Sequence, residues 1–331
     1  SGLLLPGKHF VKIIYKITPA QLKKTTGLFI KNGVLSVEDW PYFTRQWIPS
    51  NDSPQDPAKF DMSISLPLDG SLSNYSAMSN GKLISRNFNT YYWKMKNEMP
   101  TYGVNLVVGD YITKKKLLYI DPSHVNNDTE ALWKTNWFFE IPLVLYMQSF
   151  NPTDIVENQW KKTQNDAKAL AFFSSILGLY DFEKLGFIEA EQRFNMEYPS
   201  LITGLEASVH EIAHHWFGNS VFIKHWGDFW ISEGFTTYLD GLYREIYLLQ
   251  ERQWLTKRDK YFNFSEATDP YEIFDNAPYV TGASSIHSLR LRINTACHFT
   301  LKSSDDYKAI FSVLRSIYKN YKYKPLGTNE L

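Results

Sequence analysis

Val209-His210-Glu211-Ile212-Ala213-His214-His215-Trp216-Phe217-Gly218-Asn219, followed by Trp230-Ile231-Ser232-Glu233-Gly234-Phe235, is the stretch that decides how this chain is read. Two histidines four residues apart on an α-helix lie on one face, one turn apart, so the imidazoles of His210 and His214 can point at a single metal ion. Glu211 projects to the side, within reach of a water on that ion. Glu233, after eighteen intervening residues, returns from a second helix as a third ligand and leaves a fourth position open. The pattern predicts a hydrolytic zinc site. His215 points about 100° away round the helix, off that ion.

In its surroundings this run resembles the zinc aminopeptidases of peptidase family M1, the group that includes alanyl and leucyl aminopeptidases and the leukotriene hydrolases. Their site has the form H-E-x-x-H, eighteen residues, then E-G-F. The resemblance implies one Zn2+ per chain on His210, His214 and Glu233, with Glu211 as the general base toward zinc-activated water. Phe194-Asn195-Met196-Glu197-Tyr198-Pro199 resembles the family's G-x-M-E-N stretch, which a subset writes G-G-M-E-Y-P. It implies that Glu197 anchors the free amino group of a peptide substrate, with Met196 and Asn195 beside it. Phe194 and Asn195 stand where small residues are usual, and Tyr198 where Asn is, so the preferred N-terminal residue is left open. Tyr279-Val280-Thr281-Gly282-Ala283 resembles the family's Y-x-x-G-A segment, which implies that the Tyr279 hydroxyl donates to the tetrahedral oxyanion; Tyr271 is a second candidate. Metal-bound histidines need an outer hydrogen-bond partner, and Thr237, Asp240 and Glu206 are the candidates for it. Asn219 is expected to fix the turn after the zinc helix.

A chain of 331 residues that is 44% hydrophobic and 16% aromatic can bury a sizeable core, and its length suits two domains. Zero formal charge gives no support to nucleic-acid or anionic-membrane binding, and Lys114-Lys115-Lys116 reads as a solvated turn or strand end. The longest apolar runs, 138–150 and 167–180, fall short of the ~20 residues of a membrane span. Cys297 has no partner for an internal disulfide and reads as a small buried hydrophobe. His225, His287 and His298 read as packed or hydrogen-bonded, and Trp216, Trp226 and Trp230 as a core wall around the site.

Alternation over 9–17 and 60–67 predicts strands, and from Gly109 onward helical periodicity predicts helices over 163–179, 202–217, 232–249 and 283–293. The fold class is therefore α+β: a β-rich domain over 1–110, then a mainly helical domain over 111–331 whose helix pair fits a thermolysin-like zinc-metallopeptidase lobe. Arg45-Gln46-Trp47-Ile48-Pro49-Ser50-Asn51-Asp52-Ser53-Pro54 resembles an R-x-x-x-P-x-x-D-x-P stretch of the family's saddle-like N-terminal β domain. That match implies a catalytic fragment with the second half of this domain and without the family's C-terminal helical domain. Cytoplasmic and periplasmic or extracellular locations stay open, as does oligomeric state. The leading expectation is a zinc aminopeptidase acting on peptides with a free N-terminus. A zincin endopeptidase, an epoxide hydrolase of the same fold and a non-catalytic pseudo-peptidase scaffold are the alternatives.

Overall fold

Asn32-Gly33 is a strong hairpin signal, and in the computed structural model, which describes residues 7, 9–18, 20–23, 26–120, 139–206, 208–249 and 277–331, both residues take positive φ there. The turn joins β1 (Gly27–Lys31) to β2 (Val34–Glu38) in antiparallel register. β3 (Asp61–Ser65), β5 (Lys82–Asn87) and β6 (Thr90–Lys94) form a small antiparallel sheet in the order β3-β6-β5. β4 (Tyr75–Ser79) pairs instead with β7 (Leu106–Ile120), whose first half also meets β2. The second half of β7 pairs antiparallel with β8 (Phe139–Gln148), and β9 (Leu185–Ile188) and β10 (Leu201–Thr203) continue the sheet in parallel. One sheet thus runs from the N-terminal β region into the helical part, and β7 crosses residue 110 without a break.

Helices cover this sheet. α1 (Thr153–Asp166) follows Pro152 and carries Asp154 in its first turn, where the helix dipole favours an acid. α2 (Lys168–Leu177) stops at Gly178, whose φ is +133°. α3 (Ser208–Ala213), β11 (Val221–Ile223), α4 (Phe229–Tyr247), α5 (Ala277–Cys297), α6 (Ser304–Tyr321) and β12 (Lys324–Leu326) complete the described chain, with β12 parallel to β11. Leu170, Phe173, Phe187, Ile212, Phe217 and Tyr238 are fully buried where helices meet sheet. Arg290 on α5 locks α6 down. Buried itself, it donates through Nε to Asp306 at 2.6 Å and through Nη1 to Glu245 of α4 at 3.3 Å, and Tyr307 donates to the same Glu245 at 2.8 Å.

The β-rich-then-helical order holds, and several local expectations do not. Residues 9–17 form no strand: Phe10 is 99% exposed, and alternation without a neighbouring strand supplies no hydrogen bonds. Strands persist beyond Gly109 through β7 and β8, with Lys114-Lys115-Lys116 in mid-strand: Lys114 and Lys116 face α1, where they meet Glu157 and Gln164, and Lys115 is exposed on the other face. The span 163–179 is broken into α1 and α2. The span 202–217 is divided because Gly204, at φ +80°, turns the chain between β10 and α3. α6 was absent from the expected helices. Cys297 is exposed, not buried, because the last turn of α5 projects past its neighbours, and His298 next to it is an exposed left-handed residue ending that helix. His287 packs against Tyr238, and His225 Nδ1 meets Gln55 at 2.8 Å. Among the described residues no helix is long and apolar enough to cross a membrane.

Lys184 is buried beside β9 with its Nζ donating to Ser79 O at 2.9 Å and to Gly81 O, 4.7 Å over the Trp93 ring. Burial lowers its pKa from 10.5 to about 7, with Glu183 opposing. The folded value lies below the unfolded one, so the cost of the buried ammonium is full below pH 7 and fades as pH rises toward 10.5. Replacing Lys184→Met removes that dependence. The stability difference between variant and parent, read as urea midpoints, should shift in the parent's favour between pH 7 and 10, and a difference constant with pH would contradict the assignment.

Candidate active site

α3 supplies the first two donors. Its α-helical hydrogen bonding ends at His214 N to His210 O, 3.2 Å, after which Trp216 N closes a tighter turn on Ala213 O. The last full turn still holds both imidazoles on one face, with the two Nε2 atoms 3.1 Å apart. Glu233, from the second turn of α4, brings Oε2 to 3.2 Å from His210 Nε2 and 3.2 Å from His214 Nε2. A triangle of this size lets all three atoms lie about 2.0–2.2 Å from one ion seated over its centre, the range of zinc bonds to nitrogen and oxygen. Two imidazoles, each giving up its Nε2 proton to a metal, and a carboxylate are also a donor set that zinc favours, so these residues fit the metal the sequence implies.

The outer partner of His214 differs from expectation. Its Nδ1 faces Phe217 O at 3.1 Å, Thr236 Oγ1 at 3.1 Å and Ser232 Oγ at 3.3 Å, so the proton on Nδ1 goes to the Phe217 carbonyl and Nε2 is left for the ion. The residue three positions after Glu233, not four, is turned to the histidine. Thr237 Oγ1 is buried without a partner, Asp240 is engaged by Arg244 at 3.0 Å, and Glu206 is exposed.

A second group of buried acids adjoins the triangle. One donor atom each of Glu197, Glu211 and His214 lie within 4.8 Å of one another, and all three side chains are buried. Burial pushes the Glu211 carboxyl up to about 7 against the pull of His210 and His214, which suits a base that must take and return a proton near neutrality. Burial also raises Glu197, with His214 opposing. Burial acts on Glu233 in the same sense, but His214 and the imidazole hydrogen bonds outweigh it and hold this carboxylate ionised. His215 lies off the ion as expected, buried and kept neutral with its pKa lowered to about 3.

Tyr279 sits in the first turn of α5, its ring stacked along His210 at 6.0 Å and its hydroxyl in hydrogen-bonding reach of Glu233. Burial, then the Glu233, Glu197 and Glu211 carboxylates, hold its proton on, so it remains a donor. Its approach depends on two glycines. A Cβ on Gly282 would lie 2.7 Å from Gly234 Cα, and a Cβ on Gly234 equally close to Gly282 Cα, so α4 and α5 cross with backbones in contact one turn beyond Tyr279. Tyr271 lies outside the described residues.

Met196 pairs with Thr203 through two 2.9 Å backbone bonds, which brings the next residue, Glu197, alongside β10. Asn195 packs onto Gly204, where a Cβ would collide with its Oδ1. Phe194 is 64% exposed, under the Arg193 guanidinium. Tyr198 turns away from the site into the N-terminal β region, where its hydroxyl accepts from Asp39 N at 3.2 Å. From that region Tyr102 reaches the site side, its ring tilted against Trp40 at 4.3 Å, with Trp226 5.5 Å away. Burial and then the field of Glu197 raise its hydroxyl pKa, and that oxygen is buried without a partner. Trp216 is part of the core, with its indole N–H on Gly178 O. Asn219 Nδ2 donates to Glu197 O at 2.5 Å, so it holds the Glu197 stretch as well as the turn. The roles of His215, Asn219, Thr236 and Tyr102 were missed in the sequence because each is defined by a partner distant in the chain or on another turn.

Comparison with known proteins places the chain in a family. The sequence profile for the Peptidase family M1 domain matches residues 201–302, and that for the Peptidase M1 N-terminal domain matches residues 34–102. The chain belongs to peptidase family M1. It is 25% identical over 333 residues to Aminopeptidase Q of Acinonyx jubatus, which covers 91% of this chain and 32% of that protein. It is 30% identical over 223 residues to Leucine aminopeptidase 2 of Lodderomyces elongisporus, 65% of this chain and 31% of that one. The chain spans about a third of the length of these curated relatives. Its fold matches the M1 zinc metallopeptidase of Deinococcus radiodurans with a TM-score of 0.70 at 24% identity, covering 94% of this chain and 67% of that one. Native leukotriene A4 hydrolase of Saccharomyces cerevisiae matches with a TM-score of 0.64 at 19% identity, 90% and 46% covered.

Substituting Gly282→Ala must part the two helices, and overpacking of this kind costs about 1–3 kcal/mol. Urea unfolding should show that loss, while Ser288→Ala on the exposed side of α5 stays near the parent; a Gly282→Ala midpoint equal to the parent's would mean the backbones are not in contact.

Proposed function

We propose that this chain is the catalytic part of a zinc aminopeptidase that removes single residues from the free N-terminus of peptides. The observation that carries the reading is Glu197: a second buried carboxylate beside the base Glu211 and the ligand His214, where a metal hydrolase acting on internal bonds has no need of one. Relatives named aminopeptidases, and a Deinococcus radiodurans M1 metallopeptidase mutant bound to a Tyr-Ser-Ala substrate, support the same reading.

His210, His214 and Glu233 would hold one Zn2+, which when bound supplies Lewis-acid polarisation of the scissile carbonyl and acidifies water. The chain's own groups divide the remaining work. Glu197 binds the substrate's ammonium, so that the first peptide bond, and no later one, lies opposite Glu211. Glu211 takes a proton from the attacking water and delivers it to the departing amine, a role that its buried place beside the ligand histidines suits. Tyr279 donates its hydroxyl proton in a hydrogen bond to the oxygen on which negative charge develops, a contribution of about 3 kcal/mol in comparable sites. The His214-to-Phe217 hydrogen bond fixes the imidazole through the cycle.

The test is a matched pair of peptides, one free and one N-acetylated, incubated with the zinc-loaded protein and followed by mass. Stepwise shortening of the free peptide alone, abolished by chelation, is expected; internal cleavage of both would overturn the reading. Glu211→Gln should retain zinc and lose activity by about 10²–10⁴-fold, and Glu197→Ala should raise KM for free-amine peptides at least tenfold, by roughly the strength of a charged hydrogen bond. Full activity in the first variant removes the base assignment; unchanged KM in the second removes the anchor.

A further inference from the structure

An amine anchor selects chain ends only if its distance from the metal ligands is fixed, and Glu197 lies in the irregular stretch between Met196 and β10. Regular strand structure is interrupted beside it: Met196 is bonded to Thr203, Leu201 N turns back onto Tyr198 O at 2.9 Å, and β10 starts at Leu201, with Ser200 O already accepting from Gly186 N of β9 at 3.0 Å. Ser200, within the gap, is held at φ +66°, a left-handed conformation that a serine keeps only where its surroundings impose it.

Two side chains from the segment leaving α3 grip the two ends of this gap. Asn219 Nδ2 donates to Glu197 O at 2.5 Å, and Ser200 N–H donates to His215 Nε2 at 3.2 Å. His215 Nδ1 faces Glu211 O at 3.2 Å; a carbonyl can only accept, so Nδ1 carries the hydrogen and Nε2 is free to accept from Ser200. Both gripping residues are tied to the ligand-bearing backbone, Asn219 N to His214 O at 2.9 Å and Ser220 Oγ to His215 O at 2.7 Å. The opposite side of the gap is closed by the N-terminal β region, through Asn80 Nδ2 to Pro199 O and Gly81 N to Ser200 Oγ, each 2.7 Å. His215 is only 1% exposed, walled by Tyr180 and Phe182 rings at 5.2 and 5.1 Å, so its ring has no second orientation to take.

We propose that His215 and Asn219 form a clamp that transfers the position of the metal ligands to Glu197, making both positioning residues for recognition of the substrate N-terminus. This rests on the reading of Glu197 as the amine anchor. His215 lies off the ion and acts through its ring edge on the irregular stretch that carries the anchor.

The test compares the zinc-loaded parent with His215→Met, which keeps bulk and loses the acceptor, and His215→Gln, whose amide oxygen can accept in its place. Each is made alone, and His215→Met is also made in a Glu197→Ala background. With a free-amine dipeptide amide as substrate, His215→Met should raise KM roughly tenfold, the effect of one lost buried hydrogen bond, with kcat within about threefold and zinc content unchanged. His215→Gln should restore KM to within about twofold of the parent, and in the Glu197→Ala background His215→Met should add nothing further to KM. A parent-like KM for His215→Met, or an equal rise with and without Glu197, overturns the clamp while leaving the anchor intact. A parent-like KM for Glu197→Ala overturns the anchor itself and the clamp with it. Should His215→Met fail to fold, Asn219→Ala takes its place with the same expected rise and the same decisive comparison against Glu197→Ala.

Discussion

Three carboxylates, Glu197, Glu211 and Glu233, are buried against the same pair of imidazoles, and this concentration of negative charge in a nearly dry space is the constraint on which the rest of the structure turns. An ionised carboxylate removed from water is costly unless a positive partner and hydrogen bonds offset it. The three groups meet that constraint in different ways, and the differences are their chemistry. Glu233 lies against both imidazoles and stays ionised, as a ligand must. Glu211 sits in the same field but gains less from it, so burial prevails and raises its pKa. Glu197 is raised by burial too, and in the proposed reaction its charge is met by an ammonium that the substrate brings.

Holding such groups together requires rigid supports, and they come from both parts of the chain. β7 runs without interruption from the N-terminal β region into the sheet beneath the helices, so the two parts share a backbone ladder as well as a contact. Across that junction Tyr198, Asn80 and Gly81 reach between the β region and the Glu197 stretch, and Lys184 ties the same hairpin turn to β9. On the far side, the contact of Gly234 with Gly282 sets how near α5 brings Tyr279 to Glu233. Each support is remote in sequence from the group it places.

How much was legible in the sequence follows from the range over which each cause acts. His210, Glu211 and His214 could be placed from their spacing because a single helical turn fixes their geometry. Glu233, Glu197 and Tyr279 were legible only as positions within motifs, since their meeting depends on three further segments. α6 carries local signals of a helix: Ser303 caps it by accepting from Asp306 N at 3.2 Å, and Ile310, Phe311, Leu314 and Tyr318 follow on one buried side. The lysines of β7 were not legible as mid-strand because their long side chains reach solvent or a partner from either face, Lys114 and Lys116 meeting Glu157 and Gln164 of α1. Cys297 and the segment 9–17 were misread for the opposite reason, as an apolar residue and an alternating pattern bury nothing unless another element covers them.

The sequence by itself determined that His210, Glu211 and His214 share one helical turn, with both imidazoles on one face, and that a β-rich region precedes a helical one, because these rest on helix period and strand alternation. Tertiary structure alone decided that Thr236 and the Phe217 carbonyl orient His214, that His215 and Asn219 hold the Glu197 stretch, that Tyr198 faces away from the site, and that burial brings Glu211 close to neutral pH. Those properties belong to contacts between residues far apart in the chain and to the low-dielectric space they enclose, and neither exists until the sheet and helices have closed around it.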